Sequence, residues 1–109
     1  MPRPSEPAKN GPKMTVVLKA MGNSRRVQIL TQLADGSEKS VSKIEQLIPN
    51  LSQSTLSQHL GRLCRADIVS TRRAPQTIYY SIKDADVVRI LGLLSHIYAD
   101  DPVLPRTWH

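Results

Sequence analysis

The stretch SQSTLSQHLGRLCR, residues Ser52–Arg65, decides the fold. Its leucines, Leu56, Leu60 and Leu63, recur at the spacing of one face of an α-helix. A serine at the start is a favourable N-cap, because its hydroxyl accepts a hydrogen bond from a free backbone N–H. We predict a helix that begins after Ser52, runs to about position 66 and buries the three leucines.

The opposite face of this predicted helix is small, polar and basic. It carries Ser54, Ser57, Gln58, Gly61, Arg62 and Arg65, and no acidic residue occurs from position 52 through 66. Glutamine pairs with adenine edges, small hydroxyls allow close approach, and arginine binds phosphates. An ordinary solvent-exposed face is the alternative, but such a face is usually rich in Glu and Lys pairs. The pattern therefore favours a helix that enters a DNA groove.

Three shorter helices are predicted before this stretch. The first ends at Gly22, the second lies between a cap at Asn23 and Gly36, and the third covers Val41–Ile48 and ends at Pro49. The first is indicated by Val17, Leu18 and Met21. In the second, Val27, Leu30 and Leu33 lie toward one side, and in the third Ile44, Leu47 and Ile48 face inward. The third and fourth helices, joined by a tight turn, have the pattern of a helix-turn-helix.

The chain changes character after the fourth helix. β-Branched and aromatic residues in Ile68–Arg73 and Thr77–Ile82 predict two strands around a turn at Ala74–Gln76. A final helix begins at Asp84. The expected fold is mainly α with a small β-hairpin wing, an α+β winged helix-turn-helix of four helices, two strands and a fifth helix.

Composition and charge agree with this interpretation. The 109 residues suffice for one domain, and a net charge of +6 with a pI near 9.9 favours a polyanionic partner. From Ser52 to Lys83 there are five basic residues and one acid, whereas from Asp84 to Asp101 there are one basic residue and four acids. We expect DNA to dock on the fourth helix and the hairpin and to avoid the last helix.

The hairpin adds basic groups beside the predicted DNA-binding helix. Arg72 and Arg73 lie on the strand that leads to its tip, and Gln76 follows just beyond. Such arginines enter the adjacent minor groove or clamp phosphates. Protection of an edge strand by charge is the alternative.

The last helix carries more apolar positions than so small a core needs. These are Val87, Ile90, Leu91, Leu94, Ile97 and Tyr98. They can simply close the core of one chain, but we expect part of the stripe to pack inward and part to pair with a second copy, beside Val17, Leu18 and Met21. A homodimer through the first and last helices presents two DNA-binding helices to half-sites one helical turn apart.

Three segments together resemble the ArsR/SmtB family of prokaryotic repressors: Leu18–Arg26, Leu51–Leu60 and Gln76–Ser81. The resemblance spans roughly Val16–Ala99, and the wing with Ile90–Tyr98 is most similar to the branch of nodulation and virulence regulators. It implies a dimeric winged helix whose first and last helices form the dimer interface and which represses transcription or relieves repression.

Residue patterns and resemblance combine into one predicted DNA-binding site. The resemblance implies that the positions matching Gln53, Ser54, Ser57, Gln58 and His59 lie at the DNA surface. The complete prediction is Gln53, Ser54, Thr55, Ser57, Gln58, His59, Arg62, Arg65, Arg72, Arg73 and Gln76. Arg26 matches a family arginine, for which support of the fold and contact with the DNA backbone remain alternatives.

Many members of that family sense metals, and the ligand patterns they use are missing from this sequence. The segment Val41–Glu45 lacks the Cys-x-Cys pair of one site type. The positions matching the other type are Asp84, Asp86, Ile97 and Asp100, without either histidine. Because these sites need imidazole or thiolate ligands at fixed spacing, we expect no metal and no cofactor.

Cys64 is the only cysteine, which excludes an internal disulfide and fits a reducing cytosol. Beside Arg65 it is a candidate redox-reactive thiol, although a partly buried filler cysteine is the favoured interpretation. Catalysis is not expected, since His59, His96 and His109 occur without a convergent nucleophile or acid pair. A winged helix that contacts proteins instead of DNA remains the other alternative.

The two ends of the chain differ from its centre. Residues 1–13 contain four prolines and are predicted to be a disordered arm, and residues 14–100 form the DNA-binding and dimerisation domain. Residues 101–109 are a tail in which Trp108 either packs back or stays loose. Neither a signal-peptide core nor a bilayer-length apolar run occurs, so we expect a cytoplasmic protein.

Overall fold

The computed structural model describes residues 13–103, which form five helices and one three-stranded sheet. The elements are α1 (Lys13–Met21), α2 (Ser24–Leu33), β1 (Lys39–Ser40), α3 (Val41–Leu47), α4 (Gln53–Arg65), β2 (Val69–Ala74), β3 (Thr77–Ile82) and α5 (Ala85–Ile97). The predicted N-terminal arm, apart from Lys13, and the tail from position 104, with Trp108, lie outside the described residues. No helix within residues 13–103 is long and apolar enough to cross a bilayer.

Short polar side chains set where three of the helices begin. Asn23 Oδ1 accepts a hydrogen bond from the Arg26 backbone N–H at 3.1 Å, and Ser52 Oγ accepts one from the Thr55 N–H at 3.2 Å. Asp84 Oδ1 does the same for Asp86 at 2.9 Å. Each contact satisfies a donor that the helix itself leaves free. The predicted starts of α2, α4 and α5 are confirmed.

The sheet contains the predicted hairpin and one strand that was not predicted. Its order is β1-β3-β2, all antiparallel, and Ala74 pairs with Thr77, so the turn is one residue shorter than expected. Gln76 sits in that turn at φ +66°. The extra strand, Lys39–Ser40, pairs with Tyr79 and Tyr80. It has no β-branched or aromatic residue, so its pairing depends on tertiary contacts rather than on propensity.

A continuous apolar core holds α4 in place. Leu56, Leu60 and Leu63 are fully buried, and burying each contributes about 1.5–3 kcal/mol to folding. The prediction for Leu47 was wrong: its side chain is 37% exposed. The helix α3 is only seven residues long, and Ile44 with Ile48 already fills its inward side. The short α3 packs against α4.

Candidate DNA-binding surface

The N-terminal half of α4 presents polar side chains that have no partner within residues 13–103. Gln53, Ser54, Ser57 and Gln58 are all exposed and make no side-chain hydrogen bond there. Because the leucines on the other side anchor the helix to the core, the backbone positions of these residues are fixed while their donors and acceptors stay unused. Unused polar groups on a rigid helix are available to base edges.

Two of the predicted contact residues lie at the flank of α4 instead. The Thr55 hydroxyl accepts a hydrogen bond from Ser52 Oγ at 2.9 Å. His59 is half-buried, and its Nδ1 accepts from Arg26 Nη1 at 3.3 Å. Burial, followed by the positive charges of Arg26 and its arginine neighbours, holds the pKa of His59 below its ordinary value. The imidazole of His59 thus contacts α2 through Arg26.

Arg25 and Arg26 connect α2 to the turn between α3 and α4 and to the end of α1. Arg25 donates to the carbonyl oxygens of Pro49 (3.3 Å) and Asn50 (3.2 Å), in the turn between α3 and α4. Arg26 Nε donates to the Ala20 carbonyl at 2.6 Å, which ties the end of α1 to α2. For Arg26 these bonds favour support of the fold. Arg25 was not predicted, because nothing near it in sequence indicates that the turn lies beside it.

The two wing arginines have different surroundings. Arg72 Nε donates to both carboxylate oxygens of Glu38, at 2.9 and 3.0 Å, and its guanidinium carbon lies 4.6 Å from the centre of the Tyr79 ring. The hydrogen bond from Arg72 lowers the pKa of Glu38. Arg73 is exposed, and no carboxylate within residues 13–103 pairs with it. Of the two predicted contacts, Arg73 is the one whose charge is not already neutralised.

The fold brings four predicted residues to one groove. Between the start of α4 and the wing lies a cleft of about 820 Å³, lined among others by Gln53, Ser57, Arg73 and Gln76. We call it the wing cleft. Its lining comes from β1, the start of α3, α4, and both strands of the hairpin with their turn. These elements are joined through the core, so the spacing between helix and wing is set by packing. Arg62 and Arg65 are exposed on α4 but lie outside this groove.

The predicted dimer residues divide into buried and exposed groups. Val17, Met21, Val87 and Leu91 are buried inside the described chain and belong to its core. Ile90 and Leu94 are half-buried, whereas Leu18, Ile97 and Tyr98 are 55%, 57% and 56% exposed. Met14 and Leu93, not predicted, are 69% and 60% exposed. Leu93 lies three and four residues from Ile90 and Ile97, a spacing that places it on their face.

Known proteins are similar to this chain in sequence and fold. The transcriptional activator HlyU of Vibrio cholerae is 44% identical over 93 residues, which cover 85% of this chain and 84% of that protein. Residues 23–71 match the model of the bacterial regulatory protein, arsR family. The chain belongs to the ArsR family.

Other ArsR-family likenesses extend over most of the chain. The nodulation protein NolR of Rhizobium meliloti is 44% identical over 100 residues, covering 92% of this chain and 80% of that one. The solved structure of Vibrio cholerae HlyU superimposes with a TM-score of 0.74 at 43% identity, over 84% of this chain and 98% of that chain. A homodimeric winged helix-turn-helix DNA-binding domain from Mycobacterium bovis gives 0.68 at 32%, over 80% and 83%. The predicted family, branch and winged helix-turn-helix fold are confirmed.

Two kinds of regulatory site are relevant to this ArsR-family chain: a redox-reactive thiol and a metal site. Burial raises the pKa of the Cys64 thiol, and the nearby Arg65 charge only partly offsets this. The thiol is therefore mostly protonated and a weak nucleophile. Within residues 13–103, no three His, Cys, Asp or Glu side chains are grouped closely enough to hold a metal ion. The expectation that no metal binds stays a prediction.

Proposed function

We propose that this ArsR-family protein is a sequence-specific transcriptional regulator, chiefly a repressor, that binds a palindromic duplex operator as a homodimer in the cytoplasm. In this proposal α4 enters the major groove, and the wing lies on the minor groove or the phosphate backbone. No metal or catalytic step takes part. The single observation that carries the proposal is the exposed α4 face, where Gln53, Ser54, Ser57 and Gln58 have no partner within the described residues.

The pattern of ion pairs supports the proposed orientation on DNA. Within residues 13–103, carboxylates pair with Lys13, Lys39, Arg72, Lys83 and Arg89. The cations of α4 and Arg73 have no such partner in that part of the chain. Phosphate groups of DNA would supply the missing negative charge, since phosphate contacts dominate the affinity of DNA-binding proteins.

The exposed apolar residues of α1 and α5 support the homodimer. Met14 and Leu18 lie on α1, and Leu93, Ile97 and Tyr98 lie on α5 or its C-terminal cap, each more than half exposed. An apolar groove of about 390 Å³ separates the two helices. Apolar groups exposed together commonly mark an interface. The structural neighbour from Mycobacterium bovis is described as homodimeric, which agrees with the same assembly here.

Selection of bound fragments from a random duplex pool tests this function. We expect an enriched inverted repeat with half-site centres about 10 base pairs apart, the spacing of one helical turn. The matched control is S54E/Q58E, which places two negative charges on the exposed α4 face without touching the buried leucines. It should enrich nothing. Failure of the parent protein to enrich any motif would contradict the proposal and favour a protein-binding winged helix.

A further inference from the structure

A second cleft borders α4 on the side away from the wing. It has a volume of about 370 Å³ and lies between α1, α2 and α4. Its charged lining residues are Lys19, Arg26, Arg62 and Arg65, and the rest of its lining is Val16, Ala20 and Ala66. We call it the four-cation cleft. No acidic side chain lines it, so four positive charges from three helices converge without a counter-charge.

The four cations are not neutralised elsewhere in the described chain. No carboxylate within residues 13–103 pairs with any of them, although five other cations there have such a partner. Arg26 is held in place by Ala20 O and His59 Nδ1, neither of which carries a negative charge. Burial and the charge of Arg62 lower the pKa of Arg26. An anion in the cleft would relieve this repulsion.

The chemistry of the lining indicates what kind of anion fits. All polar side chains in the cleft are guanidinium or ammonium groups, which bind phosphate oxygens through charge-assisted hydrogen bonds. Sites for small organic ligands normally add amide, hydroxyl or carboxylate groups that orient the rest of the molecule. This cleft has none. Its lining therefore suits a phosphate that is recognised by charge alone.

The position of the cleft identifies the source of the phosphate. Arg62 and Arg65 follow Gln58 by four and seven residues on the same helix, which is about 6 and about 10 Å along the axis. The wing cleft with Arg73 lies on the other flank of α4. A helix in the major groove has one phosphate backbone on each side. The two clefts thus lie on opposite flanks of α4, where the two phosphate backbones that border a major groove would lie.

We propose that the four-cation cleft binds phosphate oxygens of the DNA. These phosphates belong to the strand that borders the major groove on the side of α4 opposite the wing. This inference rests on the proposed function and adds α1 to the DNA-binding surface, through Lys19. In this arrangement α4 is flanked by phosphate contacts on both sides. Arg73 and the wing bind one strand, and Lys19, Arg62 and Arg65 bind the other. Arg26 acts mainly as a positioning residue, because its guanidinium already bonds to α1 and His59.

The double variant K19Q/R65Q tests the cleft. Both side chains are exposed, so the change removes charge with little effect on the core. The matched control is K83Q/R89Q, which also removes one lysine and one arginine charge, but from residues paired with Asp67 and Asp86. Binding to the selected duplex is measured across a salt series. Each phosphate that the protein no longer binds should reduce the log–log salt slope by about 0.9, so the slope of K19Q/R65Q should fall by about 1.8 per protomer.

A second measurement identifies the strand. Ethylation of single phosphates should interfere with binding by the parent protein on both strands that border the recognition groove. With K19Q/R65Q, interference should weaken on the strand opposite the wing, where Arg62 remains, and persist unchanged on the wing side. With K83Q/R89Q both patterns should remain.

The outcomes separate this inference from the proposed function. If the parent binds no duplex, both are overturned. If the parent binds duplex and R73A weakens it, but K19Q/R65Q behaves like K83Q/R89Q, only the cleft proposal is overturned. Inorganic pyrophosphate, titrated at constant ionic strength, tests a free phosphate ligand. If the parent binds it, K19Q/R65Q does not, and duplex binding is equal for both, then the cleft serves a small anion and the proposal is wrong.

Discussion

Helices α4 and α5 are both 13 residues long, but the side chains they expose differ in chemical character. In α4 all three leucines are fully buried, whereas its two arginines have no carboxylate partner within the described chain. In α5 Leu93 and Ile97 are exposed, whereas its one arginine pairs with Asp86. Each helix leaves a different kind of side chain without an internal partner. The difference shows where a polyanion would bind and where a second apolar surface would bind.

The largest effect is expected on α5. L93E/I97E places charges on the exposed apolar face and leaves Val87 and Leu91 in the core, so each protomer should stay folded. The homodimer should dissociate, because the apolar contact is replaced by repulsion between carboxylates. Specific DNA binding should fall by about 10³-fold or more, toward non-specific affinity. Light scattering reports the mass, and titration of the selected duplex reports the affinity.

A matched control for this change lies on the same helix. R89Q removes a charge at an exposed position of α5 without placing a carboxylate beside Leu93 and Ile97, so it should leave both the mass and the affinity unchanged. If L93E/I97E remained dimeric, the proposed division of roles between α4 and α5 would be wrong.

A smaller effect is expected from Gln58, on the exposed face of α4. In Q58A the side chain that is available to base edges is removed, and discrimination at one base pair should fall by about 1–3 kcal/mol, or about 5- to 150-fold. Affinity for random duplex should change little, because phosphate contacts remain. Competition between the selected site and its single-base variants measures this. An unchanged order of preference would show that Gln58 contacts no base.

Replacing each of the two wing arginines should weaken DNA binding to a different extent. R73A should weaken binding to all sequences and reduce the salt slope by about 0.9 for each phosphate that Arg73 binds, because this arginine is not neutralised by a carboxylate. R72A should do less, since the Glu38 carboxylate already occupies the guanidinium of Arg72. In E38Q that carboxylate is removed, and the slope should rise. Equal effects of R72A and R73A would contradict this distinction.

The smallest effect concerns the contact between α2 and α4. The pKa of His59 is lower in the folded protein than in the unfolded chain, so the unfolded state binds more protons between the two values. The stability that this group contributes is present above about pH 6.5 and is lost as the pH falls. Urea unfolding at about pH 7.5 and about pH 5.5 measures the loss. H59Q should reduce it, whereas H96Q should retain it; equal behaviour of both would exclude His59 as the source.

Much of the fold could be predicted, because its signals are local. The caps at Asn23, Ser52 and Asp84 act on N–H groups two or three residues away, and the α4 leucines recur within two turns. The hairpin was predicted within one residue. The strand Lys39–Ser40 was missed, because it exists only through its pairing with β3. Sequence spacing could identify the α5 stripe, but only packing separated its buried residues from its exposed ones.

The candidate site was predictable in composition and less so in detail. Ser54, Ser57 and Gln58 are exposed on α4 as the sequence pattern indicated, and so is Gln53, which the resemblance implied; their contact with DNA stays a prediction. His59 and Arg72 belong to the same predicted set, yet each is held by a residue 33 or 34 positions away in the chain. Such contacts leave no periodic or capping signal. A sequence therefore reveals which polar groups exist, but not which of them the fold has already used.

The sequence by itself determined the helix from Ser52, the hairpin after it, the family and the acid-free face of α4, because periodicity, capping and composition act between neighbouring residues. Only the tertiary structure decided that Glu38 neutralises Arg72 while Arg73 stays unpaired within the described residues, and that Lys19 meets Arg62 and Arg65 at one cleft. The physical reason is distance. Charges on separate elements become neighbours only after the core has brought those elements together, and their partners are set at that point.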